Sequence, residues 1–186
     1  VVQKRKETGA LSDEERQNEL EALESEVREC TNCGLHSSRR KAVPGAGSID
    51  PLVLCIGEGP GEEEDKQGMP FVGRAGQYLD KWLDAIQLER DRHCFIGNIV
   101  KCRPPNNRDP HPDEIEACLP YLERQIALIR PKVILTLGRV SSQILIGTDR
   151  GIGSLRGETY HYCTIPLIPT YHPSGVLRNQ ELRRAV

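Results

Sequence analysis

No stretch of this 186-residue chain approaches the roughly 20 apolar residues that a membrane-spanning helix requires. The opening Val1-Val2-Gln3-Lys4-Arg5-Lys6 has neither an apolar core nor a cleavage pattern, so no secretory leader is expected there. Internal repeats and low-complexity tracts are also missing, which excludes a solenoid or a disordered array. Charge of one sign is scarce: 25 Lys and Arg stand against 27 Asp and Glu, a net charge of −2. That balance neither demands nor excludes nucleic acid, because a local basic face can hold a phosphate backbone on a near-neutral protein. Seven cysteines, an odd count without a secretory context, argue against a disulfide framework and for reduced thiols in the cytoplasm.

What is present suits a single globular domain. Hydrophobic residues make up 37% and charged residues 28%, enough for a full core. Residues 1–29 carry five Lys and Arg against nine Asp and Glu, and are set apart as an amino-terminal helical extension from a domain over 30–186. Ser12-x-x-Glu15 forms a capping box, and Leu20, Leu23 and Val27 follow at helical spacing, which predicts a helix over 12–29. Strands are expected at 52–56, 94–100, 133–137 and 165–170. Helices are expected at 74–86, with Ala75, Leu79, Trp82, Leu83 and Ile86 facing inward, and at 112–129, 139–146 and from Ser174 onward. Residues 34–50 read as an irregular connection. Strands alternating with helices imply an α/β fold, a three-layer α/β/α sandwich with a mainly parallel central sheet.

Four cysteines stand out by spacing. Cys30 and Cys33 form a C-x2-C pair, and Cys102 and Cys118 a C-x15-C pair. Four thiolates from two distant segments can close around zinc or around an iron–sulfur cluster, and spacing leaves both open. Cys55, Cys94 and Cys163, in or beside strands, read as small buried hydrophobes. A second signal is the glycine-rich acidic segment Gly57-Glu58-Gly59-Pro60-Gly61-Glu62-Glu63-Glu64-Asp65. Its glycines lack dinucleotide spacing and its carboxylates would repel a pyrophosphate, which excludes a nucleotide-cofactor loop. The segment follows the first strand, Asn98 lies near the end of the second and His172 follows the last. Three signals thus fall at the carboxyl ends of strands, where parallel sheets gather ligands.

These segments also carry a resemblance. The Gly57–Asp65 loop, Pro70-Phe71-Val72-Gly73-Arg74-Ala75-Gly76, Asn98, Lys101-Cys102-Arg103-Pro104-Pro105-Asn106-Asn107-Arg108 and His172-Pro173-Ser174-Gly175-Val176-Leu177-Arg178 occur in that order. From about Cys30 to the end, the chain resembles the family-four uracil-DNA glycosylases, the iron–sulfur branch of their superfamily. The resemblance implies a monomeric DNA-repair hydrolase that flips uracil out of DNA and cleaves its N-glycosidic bond. It implies a four-iron, four-sulfur cluster on Cys30, Cys33, Cys102 and Cys118, with a structural task.

Each site residue then has an implied role. Phe71 offers a stacking face for the flipped base. Asn98 reads its edge, donating to O4 and accepting from N3–H, a polarity that cytosine reverses. His172 donates to O2 as charge collects on the departing base. Glu58 either positions the attacking water or stabilises the cationic sugar. Gly59 stands where other branches place an Asp base, and Glu64 is expected to crowd the C5 side and exclude a thymine methyl. Lys101, Arg103, Arg108 and Arg178 are expected on phosphates, with Ser174 as an added donor. Val176 or Leu177 is the expected wedge into the duplex, although the family often has a bulkier residue where Gly175 stands. Asn106-Asn107-Arg108-Asp109 departs from the loop of a covalently linking branch, which implies product release.

Overall fold

The computed structural model describes residues 11–185. Its helices and strands, in chain order, are α1 (Asp13–Glu29), β1 (Ala46–Gly47), β2 (Val53–Gly57), α2 (Glu62–Gln67), α3 (Arg74–Ala85), α4 (Arg90–His93), β3 (Cys94–Asn98), α5 (Pro112–Ile129), β4 (Val133–Leu137), α6 (Arg139–Ile146), α7 (Ile152–Leu155), β5 (Tyr160–Tyr162), β6 (Ile165–Thr170) and α8 (Pro173–Arg178). Short 3-10 turns occupy Gly34–Ser37, Pro105–Asn107 and Gln180–Ala185. The strands form one sheet in the order β1-β3-β2-β4-β6-β5. The inner four are parallel, and β1 and β5 close the two edges antiparallel.

Alternation along the strands produces the three layers. Leu54 and Ile56 of β2, Phe95 of β3 and Ile134 of β4 join one core with Leu20 and Val27 of α1 and Leu122, Ile126 and Ile129 of α5. Cys55, Ile96 and Leu137 face the other way and pack with Phe71 and with Leu79 and Leu83 of α3. The expected α/β/α sandwich is therefore the observed one.

The capping box at Ser12 forms as predicted, with Ser12 N–H donating to Glu15 Oε2 at 2.7 Å and Glu15 N–H to Ser12 Oγ at 3.2 Å. The helix it starts is docked on the body of the domain. The buried Arg16 donates to Ile49 O at 3.1 Å and to Leu128 O at 2.7 Å, so α1 shares the core with α5. Residues 1–10 of the expected extension lie outside the described residues.

Four local expectations are corrected. The acidic segment is not all loop: Glu62–Gln67 is helical, because Gly61 N–H finds Glu64 Oε2 and four acids occupy the positive end of the helix. The strand expected to reach residue 100 stops at Asn98. Ile86 is 65% exposed, since α3 ends at Ala85 and the chain turns away through Gln87 at φ +60°. Cys163 is exposed at the β5–β6 turn, with φ +52°.

Candidate active site and cysteine centre

A cleft of about 380 Å³ opens at the carboxyl ends of the parallel strands. Sheet register assembles it: Gly57 of β2 lies beside Asn98 of β3, and Leu137 of β4 beside Thr170 of β6. Glu58, Asn98, Gly138 and His172 thus leave neighbouring strands at one edge, and all four line the cleft. Of the residues singled out in the sequence, Gly59, Glu64, Phe71, Arg108, Ser174 and Arg178 line it too.

Phe71 and His172 line the cleft together, their rings 5.7 Å apart at 33°. Phe71 has φ +50°, a left-handed conformation that costs a bulky residue about 1–3 kcal/mol and must be held by its surroundings. Arg90 donates to Phe71 O at 2.8 Å and also to Pro70 O. On the other side, Glu64 Oε1 accepts from Val72 N–H and Gly73 N–H at 2.8 Å each. Both Glu64 oxygens are thus engaged by backbone, and the residue ties the acidic segment to the Phe71 turn while lining the cleft.

Asn98 is 1% exposed, and its Oδ1 is buried with no hydrogen-bond partner among the described residues. Such an acceptor costs free energy unless something in the cleft donates to it. Gly57 leaves it room, since a Cβ there would stand 2.5 Å from Asn98 Oδ1 and 2.7 Å from Phe71 Cζ.

His172 caps α8. Its Nδ1 accepts from Ser174 N–H at 3.1 Å and lies 2.7 Å from Ser174 Oγ. An Nδ1 that accepts a backbone N–H carries no proton, so the neutral ring keeps its hydrogen on Nε2. Burial, with the Arg178 charge adding to it, lowers the pKa of His172 to about 4. The ring is therefore a neutral donor at ordinary pH. Burial moves Glu58 the other way, to about 7, helped by the Asp109 charge and opposed by Arg139.

Two expected DNA contacts are corrected. Lys101 is 1% exposed and its ammonium is bonded internally, so it does not reach a phosphate. Val176 is 0% exposed because it fills the core side of α8, which leaves Leu177, half-buried, as the residue of that pair near the surface. Arg103 and Leu177 lie outside the cleft lining. Arg103 Nε donates to Asn107 Oδ1 at 2.7 Å, and Arg108 makes a fork to both oxygens of Glu114 at 2.8 and 2.7 Å.

Sequence reasoning missed Gly138, Arg139 and Asp109. The ion pair of Arg139 with Asp109 spans the cleft rim, and both residues line the cleft. Gly138 has φ +95°, and a Cβ there would meet His172 Cβ at 2.9 Å. The available signal was positional, since Leu137-Gly138-Arg139 ends a predicted parallel strand at the ligand edge.

Elsewhere, Cys30, Cys33, Cys102 and Cys118 line one common hollow with Arg39, Lys101 and Tyr121. Among the described residues no three His, Cys, Asp or Glu side chains converge on a point where one metal ion would be held. N–H donors point at the sulfurs: Arg39 at Cys102 Sγ (3.1 Å), Lys101 N–H at Cys118 Sγ (3.2 Å) and Asn32 N–H at Cys30 Sγ (3.5 Å). Four sulfurs around a hollow, with donors aimed at them, fit a thiolate-bound cluster.

Parallel-strand register, a cleft at the carboxyl edge and the Asn–Phe–His grouping define a class, and comparison with known proteins agrees. The chain belongs to the uracil DNA glycosylase superfamily, whose family model matches residues 44–186, and within it to the Type-4 branch. It is 47% identical over 174 residues to a Type-4 uracil-DNA glycosylase of Sulfurisphaera tokodaii, covering 89% of this chain and 79% of that one. A second Type-4 uracil-DNA glycosylase, from Saccharolobus solfataricus, is 45% identical over 175 residues, covering 90% and 81%. A third, from Thermotoga maritima, is 44% identical over 175 residues, covering 92% and 91%.

Proposed function

We propose that the chain excises uracil from DNA by hydrolysis, leaving an abasic site. The observation that carries this reading is the buried Oδ1 of Asn98, unpartnered among the described residues, in a cleft it lines together with Phe71 and His172. Uracil N3–H is a donor of the right kind for that oxygen, and the Asn98 amide N–H can donate to O4. Cytosine has an acceptor at N3 and a donor at C4, so it leaves both groups of Asn98 unpaired.

In this reading the flipped base stacks on Phe71 and takes a hydrogen bond at O2 from His172 Nε2–H. The glycosidic bond breaks with its electron pair on the base, and a neutral imidazole donor stabilises the charge collecting at O2. Water oxygen replaces the base at the sugar carbon, and the proton that this water loses ends on the departed uracil anion. Glu58, as a carboxylate, orients that water or offsets the positive charge on the sugar. Both tasks need its ionised form. Gly59 supplies no base, which places more of the barrier on leaving-group stabilisation. Arg178, Ser174, Arg103 and Arg108 at and around the mouth are the proposed phosphate contacts, and Leu177 the proposed wedge.

Cys30, Cys33, Cys102 and Cys118 would hold a four-iron, four-sulfur cluster. When bound, it supplies a covalent tie between the end of α1, the segment after β3 and the middle of α5. One chain contains the whole cleft, which supports action as a monomer, and reduced thiols suit the cytoplasm. The test is incubation with a uracil-containing oligonucleotide followed by alkaline scission of abasic sites. Cleavage at uracil, and none in a thymine control, is the expected result. An uncut uracil strand would refute the reading.

A further inference from the structure

Lys101 is a cation inside the protein, and nothing in uracil chemistry as described so far uses it. Its ammonium donates to Asn98 O at 3.0 Å and to Gln125 Oε1 at 2.7 Å. Gln125 is itself buried and anchored by its Nε2–H to Pro44 O at 2.8 Å. The backbone of Lys101 is held as firmly. Val43 N–H donates to Lys101 O at 2.7 Å, and Lys101 N–H donates to Cys118 Sγ at 3.2 Å.

Burying an ammonium group is costly, and an apolar side chain of similar length would fill the same space without that cost. What only a lysine supplies here is a set of donors aimed at the backbone of Asn98. That backbone lies where β3 ends, and Lys101 holds the carbonyl side of the peptide that follows Asn98. Asn98 is the last residue of β3 in register with β2, and the next two amides, Ile99 and Val100, turn to Gly57 O and Glu58 O. Among the described residues the side-chain oxygen of Asn98 has no partner of its own, so the backbone is what Lys101 can fix for this cleft-lining residue. An error of about 1 Å in such a group costs on the order of a hundredfold in rate.

We infer that Lys101 is a positioning residue for base reading, which holds the Asn98 peptide from behind through the same turn that carries the cysteine hollow. The inference rests on the uracil-excision reading and extends it to a residue that touches neither base nor DNA. It makes Gln125 the partner that orients the ammonium. It also links Asn98 to the thiolate centre through a single residue, since Lys101 lines that hollow as well.

The test uses the purified chain and Lys101→Met, which keeps length and removes the donors. Inhibition of excision by free uracil reports base reading, and affinity for an oligonucleotide without uracil reports the DNA surface. Uracil inhibition is expected to weaken by about tenfold or more, with affinity for undamaged DNA within about twofold of wild type. Unchanged uracil inhibition, or a loss in step with DNA affinity, would overturn the inference.

If Lys101→Met does not fold, Gln125→Leu and Gln125→Glu decide. The Leu variant removes the acceptor and should weaken uracil inhibition; the Glu variant keeps the acceptor for Lys101 but loses the bond to Pro44 O, and should weaken it less. Equal behaviour of the two overturns the proposal. A wild-type chain that releases no uracil would instead sink the excision reading, and this inference with it, before any variant is compared.

Discussion

At the scale of single residues, two groups in one cleft are pushed to opposite protonation states by the same burial. Glu58 is raised to about 7 and His172 lowered to about 4. Both proposed roles of Glu58 need the carboxylate, and the imidazole is already neutral well below that pH. On the excision reading, kcat/KM should therefore climb as pH rises through about 7, with Glu58→Gln abolishing that limb. Because the Asp109 charge is one cause of the raised value, Asp109→Asn should shift the midpoint to lower pH; a pH–rate profile of each variant checks both. Asn98→Asp replaces the amide donor by an acceptor, so selectivity for uracil over cytosine should narrow by about tenfold or more, read from excision rates on paired oligonucleotides. Glu58, Asn98 and His172 were legible in the sequence because each follows a predicted strand or lies near its end, whereas Asp109 was not. Lys101 was misread, since a lysine beside Arg103 and Arg108 carries no mark in the sequence of being buried.

Among the elements, what matters is how closely they approach at the cleft. Gly138 lets the start of α6 pass His172 at the start of α8, and its φ of +95° suits no other residue well. Gly138→Ala combines that strain with a Cβ 2.9 Å from His172 Cβ. It should cost about 1–3 kcal/mol of stability and lower the excision rate more than DNA affinity, as thermal melting and single-turnover kinetics would show. Elements with a helical period or an apolar run were readable: α5, β4, α6 and β6 fall at the predicted bounds. Short elements with neither were not. α2, α4, α7, β1 and β5 are too short for a period to declare itself, and they form because neighbouring structure satisfies their ends. Glu64 is the instructive case, a residue of an apparently solvated acidic run whose carboxylate is the junction of three backbone N–H groups.

Over the whole molecule, two centres flank β3. The cleft lies at the end of the strand, and the cysteine hollow begins four residues later at Cys102. Helix α1 joins them to the rest, with Leu20, Leu23 and Val27 buried and Cys30 at its end. On the proposed cluster reading, Cys102→Ala should lose bound iron and melting temperature together, measured by visible absorbance and thermal unfolding. A variant that melts like wild type without iron would remove the structural task from the cluster. The sandwich was readable from the alternation of strands and helices, because burial on both faces of a parallel sheet imposes continuous apolar runs of recognisable length.

The order of elements, the four thiols and the carboxyl-edge residues Glu58, Asn98 and His172 follow from local pattern, since periodicity and strand-end position are properties of the chain read in one dimension. Which cation is buried, which carboxylate is fully bonded and which asparagine oxygen is left free depend on contacts between segments far apart in sequence. Lys101 with Gln125, Glu64 with Val72 and Gly73, and Gly138 with His172 are such contacts, and they exist only once the sheet has brought their strands into register.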